Sequence, residues 1–332
     1  LFPALCMAAS EKDIQTYTDT DFAMDTVVSE TFYTTGDDIN SKLTSVLTDV
    51  ETNLLSWTNE KSQIYKVNAD SGKDTEISEE LSGYLERLLK IAKDSDGAFD
   101  PTIGKLIRLW DIGGENQRIP GEDEIQEVLK DSGYQKISLD GNTIHMDEGC
   151  SLDLGAAGKG IGCDLILENL KNQKDVTAAL MNLGGSSVMT YGSKPDGSSW
   201  NVAVTDPRAE NDDDYLGVVA LNGTEFLSTS GDYEKYFIED GVRYHHIMDP
   251  STGYPAKSGV TGVTVVCDTG LEADALSTAC FVLGVEKGAQ LLKTYGADGL
   301  FVDEDHHVYL TEGMKERFSL LADSYSVEDI LE

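Results

Sequence analysis

Residues 153–185 hold the pattern from which the predicted fold is built: Asp-Leu-Gly-Ala-Ala-Gly-Lys-Gly at 153–160 and Ala-Ala-Leu-Met-Asn-Leu-Gly-Gly at 178–185. The first stretch opens a helix, predicted over 155–170, that begins with small residues and becomes amphipathic. The second is an apolar run typical of a buried strand, predicted over 178–183. Gly184 and Gly185 close that strand and permit positive φ and close contact.

Hairpins and helices alternate irregularly on both sides of this unit. Helices are predicted over 39–55, 78–94, 102–110, 121–132, 273–283 and 285–295. Strands are predicted over 22–33, 187–191, 200–204, 216–221, 227–238, 242–248 and 260–267, and hairpins over 137–146 and from 300–302 and 308–310. This mixture favours an α+β fold, with mixed and antiparallel sheets and packed helices, over a regular βαβ winding. No linker is long enough to separate independent domains, so residues 22–332 are predicted to form one compact unit.

The first residues read as an attachment to that unit. Leu-Phe-Pro-Ala-Leu is apolar and ends at Cys6, which fits either the tail of a lipoprotein signal or residues left by cloning. The following polar residues resemble a tether, so residues 1–21 are predicted to be a tether or signal remnant. No later stretch approaches the ~20 apolar residues of a membrane span.

The charge of the chain limits its partners. The chain contains 60 Asp and Glu residues and 25 Lys and Arg residues, which gives a net charge of −35. Such a charge repels nucleic acid and anionic lipid surfaces. Nucleic acid is therefore excluded as a partner, and membrane contact is expected only through a lipid anchor. Any site for an anion has to be built locally.

The stretch 153–160 is a candidate anion site. A helix N-terminus offers unpaired N–H groups, small residues let a ligand approach the backbone, and Lys159 adds a cation. Together they suit a pyrophosphate. Close packing of helices explains the same small residues equally well. For Gly184 and Gly185, a tight turn is locally the more common explanation.

A second candidate is Glu-Ala-Asp-Ala-Leu-Ser-Thr at 272–278. On a helix, Asp274 and Thr278 lie on one face, four residues apart. A carboxylate and a hydroxyl, joined by phosphate oxygens, make a hard oxygen site suited to Mg²⁺. The alternative is an acid at the start of a helix, where the helix dipole favours negative charge.

Two adjacent histidines stand in a polar segment rich in turns. A His there is a candidate acid or base near neutral pH, although a lone His is more often structural. Neighbouring residues of a strand point to opposite faces, so only one of His245 and His246 can face a site.

Taken together, these segments resemble the ApbE family of FAD:protein FMN transferases. The matches recur in order from residue 22 to about residue 285. Besides the segments above, they include Ala23-Met-Asp-Thr26, Gly97-Ala-Phe-Asp-Pro-Thr-Ile-Gly104, Thr229-Ser-Gly-Asp-Tyr233 and His246-Ile-Met-Asp-Pro250. The chain departs from the common pattern at Asp25, where Gly is usual, and at Gly158, where Ala is usual.

The resemblance implies a T-fold-like α+β unit and an extracytoplasmic, Mg²⁺-dependent enzyme, often a lipoprotein. Such an enzyme splits FAD, places FMN on a Thr or Ser hydroxyl of an acceptor protein and releases AMP. The acceptors resemble subunits of flavin-containing redox or ion-pumping complexes. Two alternatives stay open: a metal-dependent FAD pyrophosphatase that gives FMN and AMP in solution, and a non-catalytic flavin-binding lipoprotein.

The resemblance also implies roles for particular residues. Asp274, Thr278 and the backbone carbonyl of Ala156 would bind the metal. The FAD site would be lined by Met24, Ala98, Phe99, Asp100, Asp153, Lys159 and Ile247, with Gly184 and Gly185 shaping the pocket floor. His246, which the resemblance selects over His245, would be the base for the acceptor hydroxyl.

Overall fold

The computed structural model describes residues 13–209, 211 and 214–329. Within them the strands are β1 (Gln15–Ala23), β2 (Thr26–Thr34), β3 (Asp74–Glu76), β4 (Ile137–Asp140), β5 (Thr143–Met146), β6 (Val176–Leu183), β7 (Ser187–Tyr191), β8 (Trp200–Thr205), β9 (Tyr215–Leu221), β10 (Phe226–Gly231), β11 (Tyr236–Glu239), β12 (Val242–His245), β13 (Met248–Asp249), β14 (Tyr254–Pro255), β15 (Val260–Cys267), β16 (Asp298–Asp303), β17 (His307–Leu310), β18 (Phe318–Leu320) and β19 (Ser326–Asp329). The α-helices are α1 (Asn40–Val50), α2 (Gln63–Ala69), α3 (Glu79–Asp94), α4 (Gly104–Trp110), α5 (Glu122–Leu129), α6 (Gly155–Lys171), α7 (Gly270–Leu283), α8 (Val285–Tyr295) and α9 (Glu312–Arg317).

One large sheet organises the molecule, with strand order β1-β2-β6-β7-β10-β15-β16-β17-β19. Its neighbouring strands are antiparallel except for the last pair, β17 and β19, which is parallel. Smaller sheets are formed by β18-β9-β8, β3-β5-β4, β11-β12 and β13-β14. The prediction of an α+β fold with mixed and antiparallel sheets is therefore confirmed.

The central strands of the large sheet are buried on both faces. Along β6, Ala179 and Met181 point into a core shared with helices α1, α3, α6 and α7, whereas Ala178 points into a second core shared with β8 and β9. Alternate residues of a strand face opposite sides, and apolar layers on both sides require a continuous apolar run. The strand predicted from 178–183 is such a run.

Helices α6 and α7 touch at two glycines. A Cβ atom added to Gly160 would lie 2.0 Å from the carbonyl oxygen of Gly270, and one added to Gly270 would lie 2.2 Å from that of Gly160. Asp164 of α6 also accepts hydrogen bonds from Gly270 N (2.7 Å) and Leu271 N (3.0 Å), so it caps the start of α7. This contact brings residue 160 against Asp274.

The start of the chain differs from the prediction. The strand predicted over 22–33 is two strands, β1 and β2, joined by a turn in which Met24 and Asp25 have φ of 53° and 56°. Residues 1–12 of the predicted tether lie outside the described residues, and from Gln15 the rest of it belongs to β1. The predicted helix over 39–55 is α1 followed by a π-helical turn, Glu51–Leu55.

In the part of the chain that the structure describes, none of the helices has both the length and the apolar composition needed to cross a bilayer.

Glu30 of β2 is a buried acid under helix α1. Its side chain is 1% exposed, and only Oε1 has a partner among the described residues, the hydroxyl of Thr44 at 3.3 Å. Burial raises the pKa of Glu30 to about 7, with the nearby acids Asp19 and Asp21 adding to the effect. The folded protein therefore holds a proton here that the unfolded chain, with an ordinary Glu pKa, has released by pH 6.

This pKa predicts how stability changes with pH. A raised carboxyl pKa contributes stability that is complete below the unfolded pKa of about 4.5 and is lost as pH rises through 7. We expect Glu30→Gln to raise the free energy of unfolding at pH 8 by about 2–3 kcal/mol and to change it little at pH 4.5. Urea unfolding of both proteins at the two pH values measures the difference, and an equal change at both would contradict the assignment.

Candidate active site

Asp274 is the centre of the candidate site. It lies in the first turns of α7, is 5% exposed, and accepts three hydrogen bonds. Its Oδ1 accepts from the hydroxyls of Ser187 (2.7 Å) and Ser228 (2.7 Å), and its Oδ2 accepts from Gly160 N (2.6 Å). Burial raises the pKa of Asp274, whereas Lys159 and the three donors favour the charged form. A buried carboxylate with this many donors is held in one orientation.

Lys159 provides the cation beside this carboxylate. Its ammonium group donates to the hydroxyl of Ser186, in the turn between β6 and β7. Gly184 and Gly185 form the start of that turn with φ of 66° and 78°, and a Cβ atom on Gly184 would lie 2.0 Å from Oγ1 of Thr26. The glycine turn thus fits tightly over the β1–β2 turn and places Ser186 against Lys159.

Met24 joins the same group of residues. Its backbone N–H donates to Oε2 of Glu51 at 3.0 Å. A Cβ atom added to Gly162 would lie 3.0 Å from the sulfur of Met24, and one added to Gly158 would lie 3.8 Å from its methyl carbon. The Met24 side chain therefore lies on the small-residue face of α6, on the same helix as Lys159.

Thr278 lies one turn after Asp274 on α7, as the spacing predicted. It is half-buried, whereas Asp274 and Ser277 are buried. Ser230 contacts both the Ser277 hydroxyl (2.8 Å) and the Thr278 hydroxyl (3.3 Å). Asp274 and Thr278 are thus joined through a layer of serine hydroxyls between α7 and β10.

His246 follows β12 and is half-buried. The carbonyl of Lys235 accepts from its backbone N–H (3.1 Å) and lies 3.3 Å from Nδ1 of its ring. Burial, followed by the neighbouring His245, lowers the pKa of His246 to about 4. Because Nδ1 carries the proton toward a carbonyl, Nε2 of the neutral ring keeps its lone pair.

His245 points the other way. It is buried, its Nε2 lies 3.0 Å from the carbonyl of Ala256, and its ring packs edge-on against Phe281 at 5.3 Å. The next residue, Ile247, is buried as well, at 5% exposure. Of the two histidines, His246 is the more exposed, and it is the one that the resemblance selects.

Asp153 and Ala156 lie at the start of α6. Asp153 is half-buried and accepts from Gly155 N at 2.8 Å, and burial raises the pKa of its carboxyl group. Gly155 and Ala156 are exposed, so the first turn of α6 is open to a ligand. The guanidinium of Arg108 donates to the Ser151 hydroxyl (2.6 Å) and lies 4.9 Å above the ring of Trp57. Its charge favours ionised Asp153.

The residues at 98–100, which were predicted to line the FAD site, lie in a buried loop. Ala98, Phe99 and Asp100 are buried, and the Asp100 carboxylate already accepts from N and Oγ1 of Thr102 (2.8 and 2.6 Å) and from Tyr134 N (2.9 Å). These bonds tie the loop together. The loop reaches the start of α6 through the hydrogen bond from Asp153 N to the Pro101 carbonyl, 2.9 Å.

The oxygen atoms around Asp274 suit a hard divalent cation. One buried carboxylate, the hydroxyl of a half-buried Thr on the same helix face and a backbone carbonyl in the exposed first turn of α6 are the kinds of oxygen ligand that Mg²⁺ accepts, usually together with water. No group of three or more His, Cys, Asp or Glu side chains with metal-binding geometry occurs within residues 13–209, 211 and 214–329.

Ser230 and Ser277 stand within longer segments quoted from the sequence, but no role was predicted for any serine of the site. Ser187, Ser228 and Ser277 are each at most 3% exposed, and Ser230 is partly exposed. One signal was available: Ser228 and Ser230 alternate on one face of a buried strand, where apolar residues are usual. Buried hydroxyls at alternate positions require partners across the interface.

Known proteins share this arrangement of sequence and fold. A family model described as the ApbE family matches residues 24–301. A protein of Treponema pallidum named FAD:protein FMN transferase is 35% identical over 83% of this chain and 80% of its own length. One of the same name from Klebsiella pneumoniae is 34% identical over 83% of this chain and 86% of its own length.

Solved structures of known proteins are similar to this chain as well. The ApbE protein of Thermotoga maritima is similar with a TM-score of 0.82 and 34% identity, over 91% of this chain and 99% of that one. The apo form of the Pseudomonas stutzeri flavinyl transferase ApbE gives 0.80 and 29% identity, over 93% and 98%. The resemblance read from the ordered motifs is confirmed, and this chain belongs to the ApbE family.

Proposed function

We propose that this chain transfers FMN from FAD to a Thr or Ser hydroxyl of an acceptor protein, with Mg²⁺ and with release of AMP. The observation that carries the proposal is the buried Asp274 carboxylate, held by three donors beside Lys159 and Thr278. The names of the curated relatives support the same activity. The acceptor would be a subunit of a flavin-containing redox or ion-pumping complex.

Asp274, Thr278 and the Ala156 carbonyl would hold the metal. Bound there, Mg²⁺ would supply positive charge to the pyrophosphate of FAD. The chain itself contributes the exposed N-terminal turn of α6, with its helix dipole, and the ammonium of Lys159. These local positive groups are what a chain of net charge −35 needs in order to bind a dianionic nucleotide.

The FAD site would combine two kinds of surface. Met24 and Ile247 offer apolar contacts. Gly184 and Gly185 would shape the pocket floor, where Gly185 has open space at its Cβ position and Gly184 packs against Thr26. The loop of Ala98, Phe99 and Asp100 meets the start of α6 beside Asp153. We include these residues in the proposal as the walls of one flavin nucleotide site.

The proposal also includes a location outside the cytoplasm. The acidic surface gives no attraction to anionic lipid, so an anchor through a lipid on Cys6 would be the means of membrane attachment. Mass spectrometry of the membrane fraction from cells that express the full-length protein tests this: a lipid-modified Cys6 peptide supports the anchor, and an unmodified peptide contradicts it.

Incubation with FAD, Mg²⁺ and a candidate acceptor domain tests the activity. In-gel flavin fluorescence and intact-protein mass should show one FMN on the acceptor, with AMP released in equal amount. An acceptor whose target Thr is replaced by Val is the control and should remain unlabelled. Free FMN and AMP without labelled acceptor would favour a pyrophosphatase, and FAD binding without turnover would favour a binding protein.

His246 is the proposed base for the acceptor hydroxyl. We expect His246→Ala to keep FAD affinity and to slow FMN transfer by about 10²–10⁴-fold. A binding titration with FAD and a single-turnover assay measure the two effects separately. Loss of FAD binding in the variant would instead assign His246 a structural role.

The pH dependence provides a second test of this base. The neutral ring is the active form, and its pKa lies near 4, below the usual 6.5. The acid side of the kcat/KM profile should therefore stay level from pH 7 to pH 5 and fall only toward pH 4. A fall with a midpoint near 6.5 in folded enzyme would contradict the assignment.

A further inference from the structure

A chain of hydroxyl groups runs from Asp274 to Thr278. The Ser277 hydroxyl lies 2.9 Å from the backbone carbonyl of Asp274, and the Ser230 hydroxyl lies 2.8 Å from that of Ser277. Ser230 also lies 3.3 Å from Oγ1 of Thr278. Each of these hydroxyls has one proton to donate and lone pairs with which to accept.

The direction of the hydrogen bonds follows from the groups that can only accept. A backbone carbonyl has no proton, so Ser277 must donate to the carbonyl of Asp274. Ser277 then has only lone pairs left for Ser230, so Ser230 donates to Ser277 at 2.8 Å. Ser230 in turn has only lone pairs left for Thr278, so Thr278 is the donor in the last contact.

This order determines which part of the Thr278 hydroxyl is left free for a ligand. With its proton directed to Ser230, the Thr278 oxygen presents its lone pairs elsewhere, and the residue is half-exposed. A cation accepts only lone pairs. A Thr hydroxyl that rotates freely presents its proton to a cation part of the time, which lowers the cation affinity. Holding the hydroxyl in one rotamer removes this loss of affinity.

We propose that Ser230 is a positioning residue of the metal site, which orients the Thr278 hydroxyl so that its lone pairs point toward the cation. The inference rests on the proposed function, because it takes Thr278 as a metal ligand. It assigns Ser230 an effect on cation affinity without direct contact with the cation. Partners of this kind typically change metal affinity by about 10–100-fold.

Cation affinity tests the inference directly. Mn²⁺ is titrated into the protein alone and with FAD present, and unbound Mn²⁺ is measured by EPR. We expect Ser230→Ala to weaken Mn²⁺ binding by about 10–100-fold with little change in melting temperature. Thr229→Val is the matched control: it removes a hydroxyl from the next residue of β10, which faces Thr264 at 2.9 Å on the opposite side. Its Mn²⁺ affinity should equal that of the wild type.

A double-mutant cycle separates positioning from a general structural effect. In a Thr278→Val background, which keeps the volume and removes the hydroxyl, Ser230→Ala should have no further effect on Mn²⁺ affinity. A full additional loss in that background, an unchanged affinity in Ser230→Ala, or no Mn²⁺ binding by the wild type would each overturn the inference.

FMN transfer by the wild type is measured beside the titrations. Transfer together with an unchanged affinity in Ser230→Ala would reject the inference and leave the proposed function standing. If the Mn²⁺ affinities change as expected but no FMN appears on the acceptor, the proposed function is rejected and the inference about Ser230 stands.

Discussion

Replacing Asp274 by asparagine is expected to lower metal-dependent turnover of FAD by about 10²–10³-fold, because it removes the charged oxygen of the proposed metal site. Asn keeps the volume, and its Oδ1 can still accept from Ser187 and Ser228. The amide nitrogen that replaces Oδ2 cannot accept from Gly160 N, so one hydrogen bond is lost, which costs about 1–3 kcal/mol of stability. The variant should fold, bind FAD and fail in turnover.

Asp164 provides the matched control for this variant. It too is a carboxylate between α6 and α7, but its partners are Gly270 N and Leu271 N at the start of α7. Asp164→Asn should lower the melting temperature and leave the turnover of the folded protein close to that of the wild type. Turnover with saturating Mg²⁺ and thermal unfolding by circular dichroism measure both variants. Equal losses of turnover in the two would show that Asp274 acts only through helix packing.

The regular elements were predictable where one pattern dominated. The run at 178–183 and the small residues at 155–160 led to β6 and α6, because burial on both faces and close approach each leave a local signature. The turn between β1 and β2 was not found. Met24 and Asp25 both have positive φ, which Asp tolerates but Met rarely adopts, so the stretch rich in β-branched and aromatic residues looked continuous.

Prediction of the site residues was limited by contacts between segments that are distant in the sequence, because such contacts leave no local pattern. The sequence pointed to Asp274 and Thr278 because they are four residues apart on one helix. It could not show Ser187 or Ser228, which approach Asp274 from two separate strands. The two explanations of the stretch 153–160 both find support in the structure: Gly160 lies in a helix contact, whereas Gly155 and Ala156 are open to a ligand.

Gly160 and Gly158 separate these roles in a second pair of variants. In Gly160→Ala the new Cβ would lie 2.0 Å from the Gly270 carbonyl oxygen, which is backbone and cannot rotate away. The helices must move apart, and the hydrogen bond from Gly160 N to Asp274 weakens with them. We expect a loss of about 3–5 kcal/mol in the free energy of unfolding, from overpacking and from the weakened bond to a buried charge.

Gly158→Ala should behave in the opposite way, although it lies in the same helix two residues earlier. Its Cβ would meet only Leu55 at 3.6 Å and Met24 at 3.8 Å, which are ordinary contacts. Ala also favours a helix over Gly by about 1 kcal/mol, so this variant should be as stable as the wild type or slightly more stable. Urea unfolding of the three proteins measures the difference. If both variants lose the same stability, the close contact with Gly270 is not what requires glycine at position 160.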